Sequence, residues 1–190
     1  MTATQNLEND HVHILKLTVI LQKMVERKTE NAEHLELVVN LVRKFADGFH
    51  HVKEEDLLFP MLGKKGFSPQ QGPVAVMLAE HVQGRAFIKG VADGTEAFKA
   101  GDRDALESIY SNMEEYAFLL TAHISKENNI LFRMADQALS SEEQSLLLVQ
   151  FDDVEKHTQP AYQTANAITS INNLASTYLT HIAAKNPNFN

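Results

Sequence analysis

The 190-residue chain contains no cysteine and no tryptophan. The absence of cysteine excludes disulfides, thiolate zinc sites and iron–sulfur clusters bound by this chain, and it is typical of a cytoplasmic protein. No cluster of lysine and arginine stands out and the formal net charge is −8, so nucleic acid is not an expected partner. The longest apolar runs are far too short to span a bilayer, and the polar, acidic N-terminus is unlike a signal peptide, so we expect no membrane partner.

The sequence is rich in histidine, and its apolar residues follow a helical pattern. There are nine histidines, and histidine is the commonest metal ligand. Apolar residues recur at spacings of three and four nearly everywhere, whereas strand-like alternation is absent, which predicts an all-α protein. Four principal helices with short connections predict an antiparallel up-down four-helix bundle over residues 1–139. Residues 140–190 are then a C-terminal helical extension packed on the bundle.

Capping and helix-breaking residues indicate where these helices begin and end. The first helix is expected over residues 7–27, and Asn31 is a suitable N-cap for the second. Pro60 predicts the end of the second helix because it lacks an amide donor. Pro73 suits the first position of the third helix, and Ser140 begins a further helix in the extension.

Two segments of the chain, residues 50–60 and residues 123–133, are near copies of each other. Both have His at the first position, Lys at the fourth, Glu at the fifth and Leu-Phe at the ninth and tenth. A second pair also matches, since Asp10-His11-Val12 corresponds to Glu80-His81-Val82. The offsets are 73 residues for the first pair and 70 for the second, which indicates an internal duplication of one helix pair.

The duplicated histidines and glutamates have the spacing of a metal site. A His and a Glu four residues apart lie about 40° apart around a helix, so both point the same way. Two such helices facing each other supply two imidazoles and two carboxylates, and the other two helices each add one imidazole. If both carboxylates bridge, each of two metals receives two histidines, two carboxylate oxygens and a solvent-derived bridge, and keeps an open position. This mixture of donors suits iron, manganese or zinc. The candidate ligands are His11, His50, Glu54, His81, His123 and Glu127.

The duplication also separates the candidate ligands from their neighbours. His51 and Glu55 have the same spacing as His50 and Glu54. Their counterparts in the second copy are an isoleucine and Asn128, neither of which is expected to ligate iron. We therefore expect His51 and Glu55 to lie at the edge of the site or to support the ligands.

The run His50-His51-Val52-Lys53-Glu54-Glu55-Asp56-Leu57-Leu58-Phe59-Pro60, followed by Leu78-Ala79-Glu80-His81 and His123-x-x-x-Glu127, resembles the hemerythrin-like cation-binding family over about residues 7–136. The resemblance implies a non-heme centre of two iron ions with an oxo or hydroxo bridge. It also implies binding of dioxygen, or reaction with related small oxidants, and it assigns the ligand roles to the same six residues.

The sequence departs from the oxygen carriers of this family at two ligand positions. Arg85 stands where the carriers have a second third-helix histidine, and it either pairs with a carboxylate near the site or lies on the surface. The second carboxylate is Glu127 rather than an aspartate one residue later. The pattern resembles the four-His, two-Glu branch, which includes the iron–sulfur-cluster repair proteins. Those proteins carry a cysteine-containing N-terminal segment, whereas this chain has no cysteine. The two departures disfavour simple oxygen carriage, and the missing cysteine disfavours full repair activity.

Several functions remain open at this point. The first is storage, scavenging or sensing of dioxygen or another diatomic molecule. The second is an enzyme that acts on peroxide or nitric oxide with the help of an electron donor. A ferritin-like site is disfavoured because its Glu-x-x-His signature occurs once, at Glu8 and His11. A metal-free bundle is disfavoured because six buried ionisable groups without a cation are costly.

The remaining candidate residues lie outside the duplicated motif. Tyr116 shares a helix face with the fourth-helix histidine, and we expect it in the core. His34 and His181 are expected at the surface. Glu155 and His157 are candidates for a further ligand or a proton relay if the extension closes over one end of the bundle.

Overall fold

The computed structural model describes residues 1–179, and all regular elements in that range are helical. The prediction of an all-α protein is confirmed. None of the helices in residues 1–179 is long and apolar enough to cross a membrane. The α-helices in chain order are α1 (Ala3–Glu26), α2 (Ala32–Leu41), α3 (Phe59–Gly63), α4 (Pro73–Lys99), α5 (Ala105–Lys126), α6 (Phe132–Ala138), α7 (Ser141–His157) and α8 (Thr164–Tyr178).

Three stretches of the chain have the wider turns of a π-helix. Val42–His51 and Lys53–Leu58 join α2 to α3, and Glu127–Leu131 joins α5 to α6, so each of these pairs forms one continuous helix. The apolar pattern predicts regular α-helix here and misses the change. Wider turns of this kind occur often at functional sites. Both neighbouring histidines, His50 and His51, are buried in this segment.

Three of the predicted helix boundaries are confirmed by the cap geometry. The side chain of Asn31 accepts a hydrogen bond from the His34 amide at 3.0 Å, as an N-cap does. Pro73 is the first residue of α4, where its missing amide donor has no helical partner to lose. Ser140 and Glu143 form a capping box at the start of α7.

Two other predicted boundaries are wrong. The helix α1 begins at Ala3 because Thr2 and Gln5 form a capping box that extends it beyond the apolar pattern. The second helix continues past Pro60 to Gly63. Pro60 lies directly after the π-helical stretch, and the helix continues for only three residues beyond it.

The apolar core consists of two clusters with a polar layer between them. One cluster contains Phe45 and Phe49 with residues of α1, α2, α4, α5 and α8, and the other contains Leu7 and Phe132 with residues of α1, α3, α4, α6 and α7. Along each helix that carries a candidate ligand, the ligand lies between members of one cluster and members of the other. The two clusters therefore fix these helices on both sides of the polar layer.

The two C-terminal helices pack on different apolar clusters, α8 on the one around Phe45 and Phe49 and α7 on the one around Leu7 and Phe132. Helix α8 contacts α1 and α2, and α7 contacts α1 and Lys53–Leu58. The predicted boundary at residue 139 falls at the break between α6 and α7. The division into a bundle domain and an extension stays a prediction, and His181 lies outside the described residues.

Candidate metal centre

The six candidate ligands meet in the layer between the two apolar clusters. They come from α1, from the π-helical stretches after α2 and α5, from α4 and from the last turn of α5. The two glutamates are 0% exposed. All six candidate ligands are buried: His11, His50, Glu54, His81, His123 and Glu127.

The four imidazoles form two facing pairs. The Nε2 atoms of His11 and His50 lie 3.0 Å apart, and those of His81 and His123 lie 3.1 Å apart. Each pair therefore lies within one copy of the duplicated helix pair, α1 with the second helix in the first copy and α4 with α5 in the second. Four nitrogen atoms converge on the centre of the layer.

The two glutamates connect the histidine pairs. One oxygen of Glu54 lies 3.6 Å from Nε2 of His50 and the other lies 3.5 Å from Nε2 of His81. Oε2 of Glu127 lies 3.3 Å from Nε2 of His11 and 3.2 Å from Nε2 of His123. Each carboxylate thus reaches across the site, as a ligand that bridges two ions must.

The outer nitrogen of each histidine is held by an oxygen atom. Nδ1 of His11 lies 2.7 Å from Oδ1 of Asn128, and Nδ1 of His81 lies 2.6 Å from Oε1 of Glu55. A histidine that donates from Nδ1 keeps its Nε2 lone pair free for a cation, and such outer partners are typical of metal sites. Glu55 supports the site in this way, which agrees with its predicted place.

The other two histidines are held by carboxylates that each pair with a lysine. Asp10 lies 3.3 Å from Nδ1 of His50 and 2.7 Å from Nζ of Lys53. In the second copy, Glu80 lies 2.9 Å from Nδ1 of His123 and also pairs with Lys126. The internal duplication therefore extends from the candidate ligands to their supports.

The electrostatics of the glutamates fit a cation. All four oxygen atoms of Glu54 and Glu127 are buried without a hydrogen-bond partner. Burial raises the pKa of Glu54, and the neighbouring charge of Glu127 raises it further. For Glu127, burial acts in the same direction, but His123 and His11 outweigh it and lower its pKa. Unpaired buried carboxylates are costly, so the donor set fits metal ions.

The ligand atoms fall into two groups that each suit one ion. In each group the ligand atoms lie within 4.8 Å of one another, and Glu54 belongs to both. One group is His11, His50, Glu54 and Glu127, and the other is His51, Glu54, His81 and His123.

The model of the hemerythrin HHE cation-binding domain matches residues 2–135. The chain belongs to this family. The match covers all six candidate ligands and ends within α6, before α7 and α8. The resemblance carried by the duplicated motif is therefore confirmed at the level of the family, and the buried His and Glu cluster is that of a metal-binding member.

Two kinds of relative are similar to this hemerythrin-family chain. An uncharacterized protein of Mycobacterium tuberculosis (Rv1995) is 23% identical over 159 residues, which cover 82% of this chain and 62% of that protein. The iron-sulfur cluster repair protein YtfE of Escherichia coli O81 is 33% identical over 88 residues, which cover 45% of this chain and 40% of that protein. The chain thus spans less than two thirds of the length of these relatives. No solved structure matches it.

His51 lies closer to the centre than the sequence indicates. Its ring stacks on that of His81 with centroids 3.8 Å apart and planes 13° apart, and its Nδ1 lies 3.1 Å from Asp47. An imidazole lone pair lies in the plane of its ring, and one ion cannot lie in the planes of two stacked, nearly parallel rings at once. The stacking therefore favours His51 as a neighbour of the second group and not as its third histidine ligand. Burial lowers the pKa of His51 to about 3, so it is neutral near pH 7.

Arg85 pairs with carboxylates beside the site, which settles the alternative that the sequence left open. Its Nη2 lies 2.7 Å from Asp47 and 2.6 Å from Glu55. These two carboxylates are the partners of His51 and His81. This chain therefore has a cationic side chain, and not a metal ligand, at the position where the oxygen carriers of the family have a histidine.

Of the other candidates, Tyr116 is buried as predicted. His34 is half-buried, with Nδ1 2.6 Å from the Tyr178 hydroxyl. The extension supplies no ligand among residues 140–179, because the Glu155 carboxylate is bound to Thr164 and His157 is exposed. Beside the site lies a cavity of about 310 Å³ that borders His51, His81 and His123. The apolar pattern gave no signal of this cavity.

Proposed function

We propose that this hemerythrin-family protein holds two iron ions between His11, His50, Glu54, His81, His123 and Glu127, with an oxo or hydroxo bridge, and binds dioxygen or a related small oxidant there. One observation carries the proposal. The four oxygen atoms of the two buried glutamates have no hydrogen-bond partner and lie between two pairs of imidazole nitrogens. This donor set, with histidines and bridging carboxylates, suits iron.

The residues of the chain have separate tasks in this proposal. Glu54 and Glu127 neutralise the charge of the ions, and the outer oxygen partners hold the Nδ1 protons so that Nε2 faces inward. The apolar clusters on both sides exclude water from the layer. Iron bound there would supply the electrons that a small oxidant accepts.

We also propose that the four ligand-carrying helices form an antiparallel up-down bundle. The order of the clusters supports it. Along α1 the cluster around Leu7 and Phe132 comes before the ligand, whereas in the second helix the cluster around Phe45 and Phe49 comes first. The order reverses again in α4 and once more in α5. Successive helices that cross the same layers in opposite order run antiparallel.

A second candidate function is supported by the similarity to the repair protein YtfE. Its shared segment covers 45% of this chain. An enzyme that acts on peroxide or nitric oxide, or a protein related to iron–sulfur-cluster repair, would use the same ligands with a supply of electrons. A cytoplasmic location stays a prediction from the cysteine-free composition.

The test is metal analysis of anaerobically purified protein, followed by optical spectra after air is admitted. We expect about two irons per chain and a charge-transfer band that appears with air. A long-lived band supports oxygen binding, whereas rapid decay with consumption of added peroxide supports the enzyme. One zinc per chain that is indifferent to air would contradict both functions.

Two neighbouring variants separate ligands from supports in the same experiment. His50→Ala is expected to reduce the iron content to one ion or none, because His50 belongs to the first ligand group. His51→Ala is expected to keep about two irons per chain, because its ring stacks on His81 and does not point at the ion. Loss of iron from His51→Ala alone would reverse this assignment.

A further inference from the structure

The cavity beside the site is too large for a diatomic molecule. Its volume is about 310 Å³, and it is bounded by the Val42–His51 stretch, α4 and α5. An apolar protein cavity of about 150 Å³ holds one benzene molecule. By this measure the cavity has room for an organic molecule of about ten non-hydrogen atoms.

Most of the surface inside the cavity is apolar, although three histidines also border it, and Asp47, Glu80 and Arg85 are paired with oppositely charged groups. Val42, Ile88 and Leu120 form its buried apolar surface. Arg85 is paired with Asp47 and Glu55, and Glu80 is paired with Lys126. Arg43, the remaining charged residue of the lining, is exposed to solvent. The inside of the cavity therefore suits an uncharged molecule.

One hydroxyl group at the cavity has no protein partner. Tyr116 is 3% exposed and lines the cavity, and no hydrogen bond joins its hydroxyl to any residue in 1–179. The hydroxyl oxygen is not fully buried, so it is open to the cavity and can meet a bound molecule. Burial raises the pKa of Tyr116 far above its usual value, so the hydroxyl keeps its proton and remains a donor. An acceptor oxygen on a bound molecule would satisfy it.

A glycine in the middle of α4 keeps this space open. Gly84 lines the cavity, and a Cβ placed on it would lie 3.4 Å from Cε2 of Tyr116 and 3.8 Å from Cδ2 of Leu119. Glycine inside a helix is unfavourable by about 1 kcal/mol relative to alanine. A longer side chain at this position would enter the space next to the tyrosine ring.

We propose that this cavity binds an uncharged, mostly apolar organic molecule of about ten non-hydrogen atoms, whose carbonyl or ether oxygen accepts a hydrogen bond from Tyr116. The apolar body lies between Val42, Ile88 and Leu120, and the molecule reaches the side of the site formed by His81 and His123. This ligand is additional to the small oxidant of the proposed function.

The test uses 4-fluoroacetophenone, a neutral ketone of this size, with the metal-loaded protein. Binding is measured by broadening of its ¹⁹F signal and by calorimetry, and 1-ethyl-4-fluorobenzene serves as the probe without oxygen. Tyr116→Phe is expected to weaken the ketone about fivefold and to leave the hydrocarbon unchanged. Tyr110→Phe is the matched control, because its hydroxyl donates to Thr29 away from the cavity.

Two variants that fill the cavity complete the test. Gly84→Leu and Leu119→Trp are each expected to abolish binding of both probes, whereas Val82→Phe on the exposed face of α4 leaves it unchanged. Leu119 is only half-buried, so its variant tests the cavity even if the substitution at Gly84 unfolds the protein. Absence of binding to wild-type protein, or equal binding to Leu119→Trp and Val82→Phe, would overturn the proposal.

Iron content is measured on the same samples. Binding of the ketone without iron contradicts the proposed function and leaves the cavity ligand supported. Two irons per chain without ketone binding overturns the cavity ligand alone.

Discussion

Arg85 and Glu55 form an ion pair of 2.6 Å whose acceptor oxygen also lies 2.6 Å from Nδ1 of His81. Arg85 donates from Nε to Asp47 at 2.8 Å, and Asp47 is the partner of His51. One guanidinium thus fixes the two carboxylates that orient two stacked imidazoles. The planar fork of arginine makes this double contact possible, which a lysine cannot reproduce.

Arg85→Met is expected to lower the affinity for the metal at the His81 side about tenfold, because loss of an outer partner of a ligand usually costs 10- to 100-fold. Competition with a coloured chelator measures the affinity. Arg85→Lys should fall between the variant and wild type. Lys89→Met, one turn further along α4 and paired with Asp93 away from the site, is the control. An unchanged affinity in Arg85→Met would contradict the role of the guanidinium.

Lys53 and Lys126 occupy equivalent positions in the two copies of the motif but differ in burial. The side chain of Lys53 is 3% exposed, and its Nζ lies 2.7 Å from Asp10 and 3.8 Å from the ring centre of Phe49. The side chain of Lys126 is 37% exposed and pairs with Glu80. The same contact is therefore made in surroundings of different polarity.

Lys53→Met is expected to lower the free energy of unfolding by about 3 kcal/mol, because it leaves the Asp10 carboxylate buried without its cation. Lys126→Met should cost less than about 1 kcal/mol, since water reaches this pair. Urea unfolding at pH 7, with equal metal content in both samples, measures the difference. Equal losses in the two variants would show that burial does not decide the strength of these pairs.

The duplication in the sequence predicts which residues gather, but it does not predict how they pair. Asp10 is next to His11 in the chain, yet it supports His50, and Glu80 likewise supports His123. Such cross-helix contacts depend on which faces of neighbouring helices meet. That information lies in the packing of the two apolar clusters and not in the spacing of one helix.

His51 shows the same limit for a single residue. Its counterpart in the second copy is an isoleucine, so the internal comparison sets it apart from His50. The wider turns of the Val42–His51 stretch then bring its ring onto His81. A pattern that assumes a regular helix does not predict this position.

Glu54→Gln is expected to change stability in opposite directions with and without metal. In metal-free protein the substitution removes a carboxylate whose pKa is raised by burial and by Glu127, so the free energy of unfolding should rise by about 1–2 kcal/mol. In metal-loaded protein it removes a ligand charge and should lower the melting temperature.

Calorimetry of both forms, prepared by chelation and by reloading, measures the two signs. Glu55→Gln is the matched control. Its carboxylate is paired with Arg85 and His81, so the neutral variant should lose stability in both forms. A loss in both forms for Glu54→Gln as well would contradict the view that its oxygen atoms require a cation.

The stabilising contribution of the Asp47 carboxylate should be lost in acid over a defined range of pH. Burial raises its pKa, but hydrogen bonds from His51 and Arg85 outweigh burial and lower the pKa from 3.8 to about 2. A lowered folded-state pKa stabilises the protein fully above about pH 4, and this contribution is lost as the pH falls towards about 2. Asp47→Asn should therefore be about 1 kcal/mol less stable than wild type at pH 6, after allowance for its partial exposure, and nearly equal to it at pH 2. Urea unfolding of metal-free protein at both pH values measures the difference, and a gap that persists at pH 2 would mean that the Asp47 carboxylate acts through packing and not through its charge.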